Sequence, residues 1–288
     1  MKVLVKIFVC WMANAAAVIL AGALIAGLHL KPVQIPSNAS PLALFLSQLA
    51  GSAILVCGMV PLARGLAGSS RQRSAVFAAF LYTAVGINGV IETVFFTHFA
   101  DGRLPAVTIF YVVQCLLLGV AMGTLFGSRQ AAPGLLHHTL LGWVARAAMV
   151  WLAWPLIYLT FGMCVAPFVN SYYIAGIAGL QLPSLSTIVL VQLVRGPIFL
   201  AGSLPFLALW RGSRRNLWLA LGLAHAAVVG LSGLVSATFF PTALRIAHSL
   251  EITGDSFAFA GLLVLLFTVP AVRTQPAPAL GQPAPRVL

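Results

Sequence analysis

The chain has 288 residues, of which 61% are hydrophobic and 7% charged, too little polar surface to coat a water-soluble globule of that size. Its formal charge of +12 comes from sixteen Lys and Arg scattered through short polar stretches, with no basic stripe carrying stacking aromatics, which excludes a nucleic-acid surface. The composition reads as an all-α integral membrane protein with the lipid bilayer as its solvent.

Lys2 and Lys6 precede an apolar run over 7–29. That run is longer than the core of a secretory signal and long enough to span, so it reads as a retained first helix. Ala13, Ala17 and Ala21 give it a face of small residues suited to close helix packing. Further apolar windows bounded by breaker clusters lie at 42–63, 75–98, 105–126, 143–165, 187–209, 217–240 and 257–272. The pattern predicts a bundle of about eight transmembrane helices, with both termini on one side.

Charge assigns that side. Lys2, Lys6, Arg64, Arg71, Arg73, Arg129, Arg146, Arg211, Arg214, Arg215, Arg273 and Arg286 all fall with the termini, whereas the opposite loops carry only Lys31, Arg103 and Arg245. A twelve-to-three split places both termini in the cytoplasm. The excess of Arg over Lys, with abundant Ala, Leu and Gly, fits a bacterial inner membrane. Cys10, Cys57, Cys115 and Cys164 show no metal or redox spacing and read as small buried apolar residues. The tail 274–288, rich in Pro and Ala, reads as a disordered cytoplasmic end.

The chain also resembles itself. A shift of 144 residues aligns twelve identities over positions 48–96, from Gln48 with Gln192 through Gly58 with Gly202, Pro61 with Pro205 and Ser69 with Ser213 to Phe96 with Phe240. Gln34-Ile35-Pro36-Ser37 extends the match to Gln181-Leu182-Pro183-Ser184 at an offset of 147. The expected organisation is a first four-span repeat (1–126), a cytoplasmic linker (127–142) and a second repeat (143–273). An even number of spans per repeat keeps the two halves parallel, related by an axis along the membrane normal.

Charges inside spans are costly unless paired or wetted, which singles out two of them. Glu92 lies about 9 Å below the end of span three, with Asn88 one turn deeper on the same face; Arg195 lies roughly 12 Å from the outer end of span six, with Gln192 one turn above it. Comparable depth and opposite charge predict that the two face the interior and meet, either as a pair that fixes helix order or as a ligand site. Gln48 and Gln192, at matching positions of the repeats, would add polar contacts.

A second polar cluster, Arg245, His248, Glu251 and Asp255, precedes the last span. It reads as a short outer helix ended by Gly254, either a solvated face or one that binds an ion or transfers a proton. His98, Asp101 and Arg103 occupy the outer loop of the first repeat and could complete the same vestibule. The His and acid spacings fit no metal motif, no nucleotide or hydrolase signature is present, and no cofactor is implied. His137-His138 reads as a solvated pair in the linker and His225 as a hydrogen-bonded packing residue or a proton relay.

Three functions follow from this reading. The first is permease-like passage of a small solute or ion through the repeat interface, with Arg195 binding an anionic group and Glu92 as its counter-ion. The second is an intramembrane enzyme acting from the outer side on a lipid-linked substrate, with His248 or His98 as base and Glu251 or Glu92 as partner. The third is a non-catalytic subunit or sensor.

Overall fold

A computed structural model describes residues 2–32, 40–98, 102–131 and 138–268. Asp101, His137, the segment 34–37 and the tail from 269 lie outside them. The described residues form an all-helical bundle containing eight helices long and apolar enough to cross a membrane: α1 Val3–Gly27, α2 Pro41–Gly65, α3 Ser70–Phe95, α4 Leu104–Leu125, α5 Leu140–Ile174, α6 Leu185–Leu209, α7 Arg214–Ser236 and α8 Thr242–Phe267. Most begin where a side chain can satisfy the orphan amides of a first turn. Ser40, Ser69, Thr139, Ser184 and Ser213 each accept from the amide three residues on.

Two elements differ from the sequence reading. α5 was expected to end near 165 but runs to Ile174, through Pro155 and Pro167, and stops only where Gly176 takes a left-handed φ of 63°. The outer cluster and the last span were expected to be separate, yet α8 is one helix from Thr242 to Phe267. Gly254 does not break it, because its missing Cβ makes room for the Phe161 ring of α5, with Phe161 Cζ 3.0 Å from where that atom would lie. Glu251 and Asp255 therefore sit inside a long helix, about 14 and 20 Å from its start.

The cysteines also divide. Cys10 and Cys115 are buried, but Cys57 and Cys164 are exposed on outward faces. Arg73, counted among the loop cations, is buried and satisfies three backbone carbonyls, that of Gly123 in the last turn of α4 and those of Gly68 and Ser128 in the adjoining loops. On α1 the buried stripe is Cys10, Asn14, Ala17 and Ala21, with Ala13 to one side of it.

Contacts between helices follow one pattern twice. α4 packs on α3 and α1, and α1 on α2; α8 packs on α7 and α5, and α5 on α6. The two sets join where α2 crosses α7 and where α6 crosses α3. At the first crossing Gly58 meets Ala227 and Gly51 meets Ser236; at the second Gly202 meets Thr83 and Arg195 meets Glu92. Each contact in one crossing uses residues 144 positions from those in the other.

A short antiparallel bridge pairs Leu66 with Trp210, again 144 apart, with reciprocal bonds from Ala67 N–H to the Leu209 carbonyl at 2.9 Å and from Arg211 N–H to the Gly65 carbonyl at 3.1 Å. Both α3 and α7 widen into a π-helical stretch at corresponding places, Tyr82–Ile87 and Ala227–Leu231. We call the end bearing this bridge and Lys2 proximal and the other distal. The core between them is aromatic, with Phe77, Phe80, Phe199, Phe206 and Phe259 fully enclosed, while large apolar side chains such as Leu46, Leu156, Leu190 and Leu265 face outward.

Candidate functional site

Glu92, on the last turns of α3, is held by Arg195 Nη2 from α6. Arg195 is buried and lies over the Phe96 ring, 5.5 Å from its centroid, whereas the Glu92 side chain is 44% exposed. The guanidinium thus sits in the interior and the carboxylate reaches it from a partly exposed position. On α8, spacings of three and four residues put His248, Glu251 and Asp255 on one face, turned toward α5 and α6. His248 Nδ1 lies 2.5 Å from Glu251 Oε2, and His248 Nε2 lies 3.1 Å from the Tyr173 hydroxyl on α5.

Two tyrosines lie near both of the clusters that read as separate in the sequence. Tyr158 lies within electrostatic reach of Glu92, Arg195, Glu251 and Tyr173, and Tyr173 within reach of Glu92 and Glu251. Asp255 lies within the same reach of Glu251 and Arg195, and its Oδ1 accepts a hydrogen bond from the Ser256 hydroxyl at 3.4 Å. Room for this on α5 comes from Gly162, where a Cβ would sit 3.2 Å from Glu251 Oε1. Neither tyrosine carries a formal charge, so charge counting in apolar windows passes over them. The available signal is the Trp154, Tyr158, Gly162 ridge at helical spacing, and it becomes informative only once α5 is known to continue to Tyr173.

The site has a floor. One turn proximal to Tyr158, Arg195 and Asp255 stand Trp154, Phe199 and Phe259, whose rings meet edge to face with centroids 5.0, 5.1 and 6.2 Å apart. His225 packs against Phe199 and Phe259 from the proximal side, with the Ser203 hydroxyl 2.8 Å from its Nε2. It is walled off from the distal polar groups by the same rings.

Several polar atoms around Arg195 are unspent. Trp154 Nε1 donates to Gln192 Oε1 at 3.0 Å, which fixes the amide so that Gln192 Nε2 is left without a hydrogen-bond partner among the described residues. Arg195 Nε and Asn88 Oδ1 are likewise buried and unpartnered. Burying such groups unpaired costs roughly 1–3 kcal/mol each, so a site that keeps them has two donors, Gln192 Nε2 and Arg195 Nε, and one acceptor, Asn88 Oδ1, to offer an incoming group.

Other expected members are elsewhere. Gln48 is exposed while Gln192 is fully buried; on α2 it is Ser47 that turns inward, exchanging bonds with Ser236 across the crossing at 3.2 and 3.4 Å. Arg245 points away from the relay to the opposite side of α8, where Nε and Nη2 cap the last carbonyls of α7, those of Leu234 and Val235. His98 is exposed, its amide bonded to the Gly179 carbonyl, and Arg103 precedes α4 outside the cluster. Asp101 lies outside the described residues. No group of His, Cys, Asp or Glu able to hold a metal ion occurs among those described.

With Glu251 ionised it accepts the Nδ1–H of His248, and Nε2 then carries the lone pair that faces the Tyr173 hydroxyl. Carboxylate, imidazole and hydroxyl in this order form a relay that can take a proton from a hydroxyl and return it to a leaving group. No family model, no curated protein and no solved structure matches the chain.

Proposed function

We propose that this is an intramembrane enzyme that performs proton-transfer chemistry on a lipid-linked substrate entering from the outer side of a bacterial inner membrane. The observation that carries the reading is the Tyr173–His248–Glu251 relay set above the Trp154–Phe199–Phe259 floor, which favours a pocket open to one side. In this reading His248 is the base, Glu251 orients it, and Arg195 with Gln192 holds an anionic oxygen of the substrate.

The chain crosses the bilayer eight times with both termini cytoplasmic, as the helix lengths, the outward apolar faces and the proximal bias of the cations support. Its two halves, 1–126 and 143–273, are parallel repeats about an axis along the membrane normal. Supporting this are the two equivalent crossings, the self-paired Leu66–Trp210 bridge and the matching π-helical stretches. After duplication one crossing kept small residues, Gly51 and Ser236, and the other acquired Arg195 and Glu92.

A permease is the second reading, favoured by the fact that the Glu92–Arg195 pair joins the two halves. One comparison separates them. Membranes of a bacterial host producing the parent protein or the His248→Asn variant are analysed for lipids by mass spectrometry. The enzyme reading expects a lipid species formed or consumed with the parent only. Identical lipid profiles, with a solute retained by vesicles only when the parent is present, would replace it by the permease.

A further inference from the structure

The side of α8 opposite the relay borders a groove of about 330 Å³ shared with α7, at the lower end of the range for small-molecule sites. Leu231, Leu234, Ile246 and Leu250 supply its apolar walls. Two of the three hydroxyls along it are already committed, Ser249 to the Arg245 carbonyl and Thr253 to the Ser249 carbonyl, both at 2.7 Å, and the third, Thr242, stands at the distal end with Arg245, so the trough itself has little polarity. At its distal end stands Arg245. Two of its five N–H groups cap α7, no carboxylate pairs with it among the described residues, and three N–H groups remain unspent.

Depth gives this arrangement its meaning. Arg245 lies about 4.5 Å into α8, at headgroup level for a spanning helix, while Leu250 and Thr253 lie about 12 and 17 Å in, near the middle of a hydrocarbon core about 30 Å thick. A cation above an apolar trough of one leaflet's depth matches a phosphate joined to an acyl chain.

We propose that this groove binds one anionic phospholipid of the outer leaflet, with its phosphate on the Arg245 guanidinium and an acyl chain along Leu231, Leu234, Ile246 and Leu250. The inference takes from the proposed function only the bilayer and its orientation, not the chemistry at His248. By linking the α7 end to the start of α8, the lipid fixes the helix whose other face carries the relay.

The test uses the delipidated full-length protein in detergent, offered equal amounts of phosphatidylglycerol and phosphatidylethanolamine with identical acyl chains, and read by native mass spectrometry. One lipid is expected to be retained, with a preference of about fivefold for the anionic headgroup. Arg245→Gln should erase the preference, Arg245→Lys should keep it, and Leu250→Trp, which fills the trough, should lower retention of both lipids. A cap lost from α7 would lower stability without altering headgroup choice, so selectivity separates a lipid site from a structural role. The proposal is overturned if the parent shows no preference, if Arg245→Gln keeps it, or if inorganic phosphate displaces the lipid at equal concentration. Lipid-facing labelling of α7 and α8 checks the bilayer premise separately.

Discussion

Arg195 and Glu92 meet across the α6–α3 crossing with unequal exposure, the guanidinium at 4% and the carboxylate at 44%. The asymmetry makes the two deletions unequal. Glu92→Gln leaves a cation enclosed with weakened compensation and should destabilise the protein by about 3 kcal/mol. Arg195→Gln leaves a carboxylate that is already partly exposed, and should cost roughly 1–2 kcal/mol. Unfolding in mixed micelles would measure both, and the double variant should cost less than the sum. Strict additivity would show that the pair contributes no coupling.

Topology is tested by single cysteines in a cysteine-free background, which must remove the exposed Cys57 and Cys164 as well as the buried pair. Ser70, Gln130 and Ser213 should label from the cytoplasm, and Gly102 and Asn170 from outside, all five lying near helix ends. Labelling of Ser70 and Asn170 from one side would remove the eight-span reading.

The two crossings should respond alike to bulk. A Cβ at Gly58 or Gly202 would run into Ala227 or Thr83, so Gly58→Leu and Gly202→Leu should each lower stability by about 1–3 kcal/mol. Gly22, with nothing within 4 Å of its would-be Cβ, should accept the same change with little loss. If thermal unfolding ranks Gly22→Leu with the other two, close packing at the crossings is not what holds the halves together.

Much of the scaffold was legible because its signals are local. Apolar windows located all eight helices, and the capping serines at 40, 69, 184 and 213 stand at helix starts that recur at the 144-residue spacing. What failed depended on neighbours. Gly254 resembles a stop until Phe161 is seen to fill its place, and Gln48 resembles Gln192 until the helix face is known. A fixed offset in sequence aligns positions, yet neighbouring residues on a helix differ by about 100°, so Ser47 turns inward in place of Gln48. Charge at matching depth pointed to Glu92 and Arg195, but the neutral Tyr158 and Tyr173, which lie within electrostatic reach of both Glu92 and Glu251, carried no such mark.

The relay predicts a pattern of losses rather than a single one. His248→Asn removes the base and should lower the rate of the lipid conversion by about 10²-fold or more. Glu251→Gln leaves the imidazole in place but withdraws the acceptor that fixes its Nδ1–H, so a loss of similar order is expected. The double variant should be no worse than the poorer single one, because the two residues act as a unit. Tyr173→Phe discriminates further. If the hydroxyl passes the proton, the rate falls with folding intact; if Tyr173 only packs on the His248 ring, at 6.0 Å between centroids, the rate is unchanged because the phenyl ring preserves that contact. The measurement is the time course of the lipid species in proteoliposomes, with circular dichroism as the folding control. Parent-like rates in all three single variants would remove the relay from the chemistry and leave Arg195 and Glu92 as the remaining centre of function.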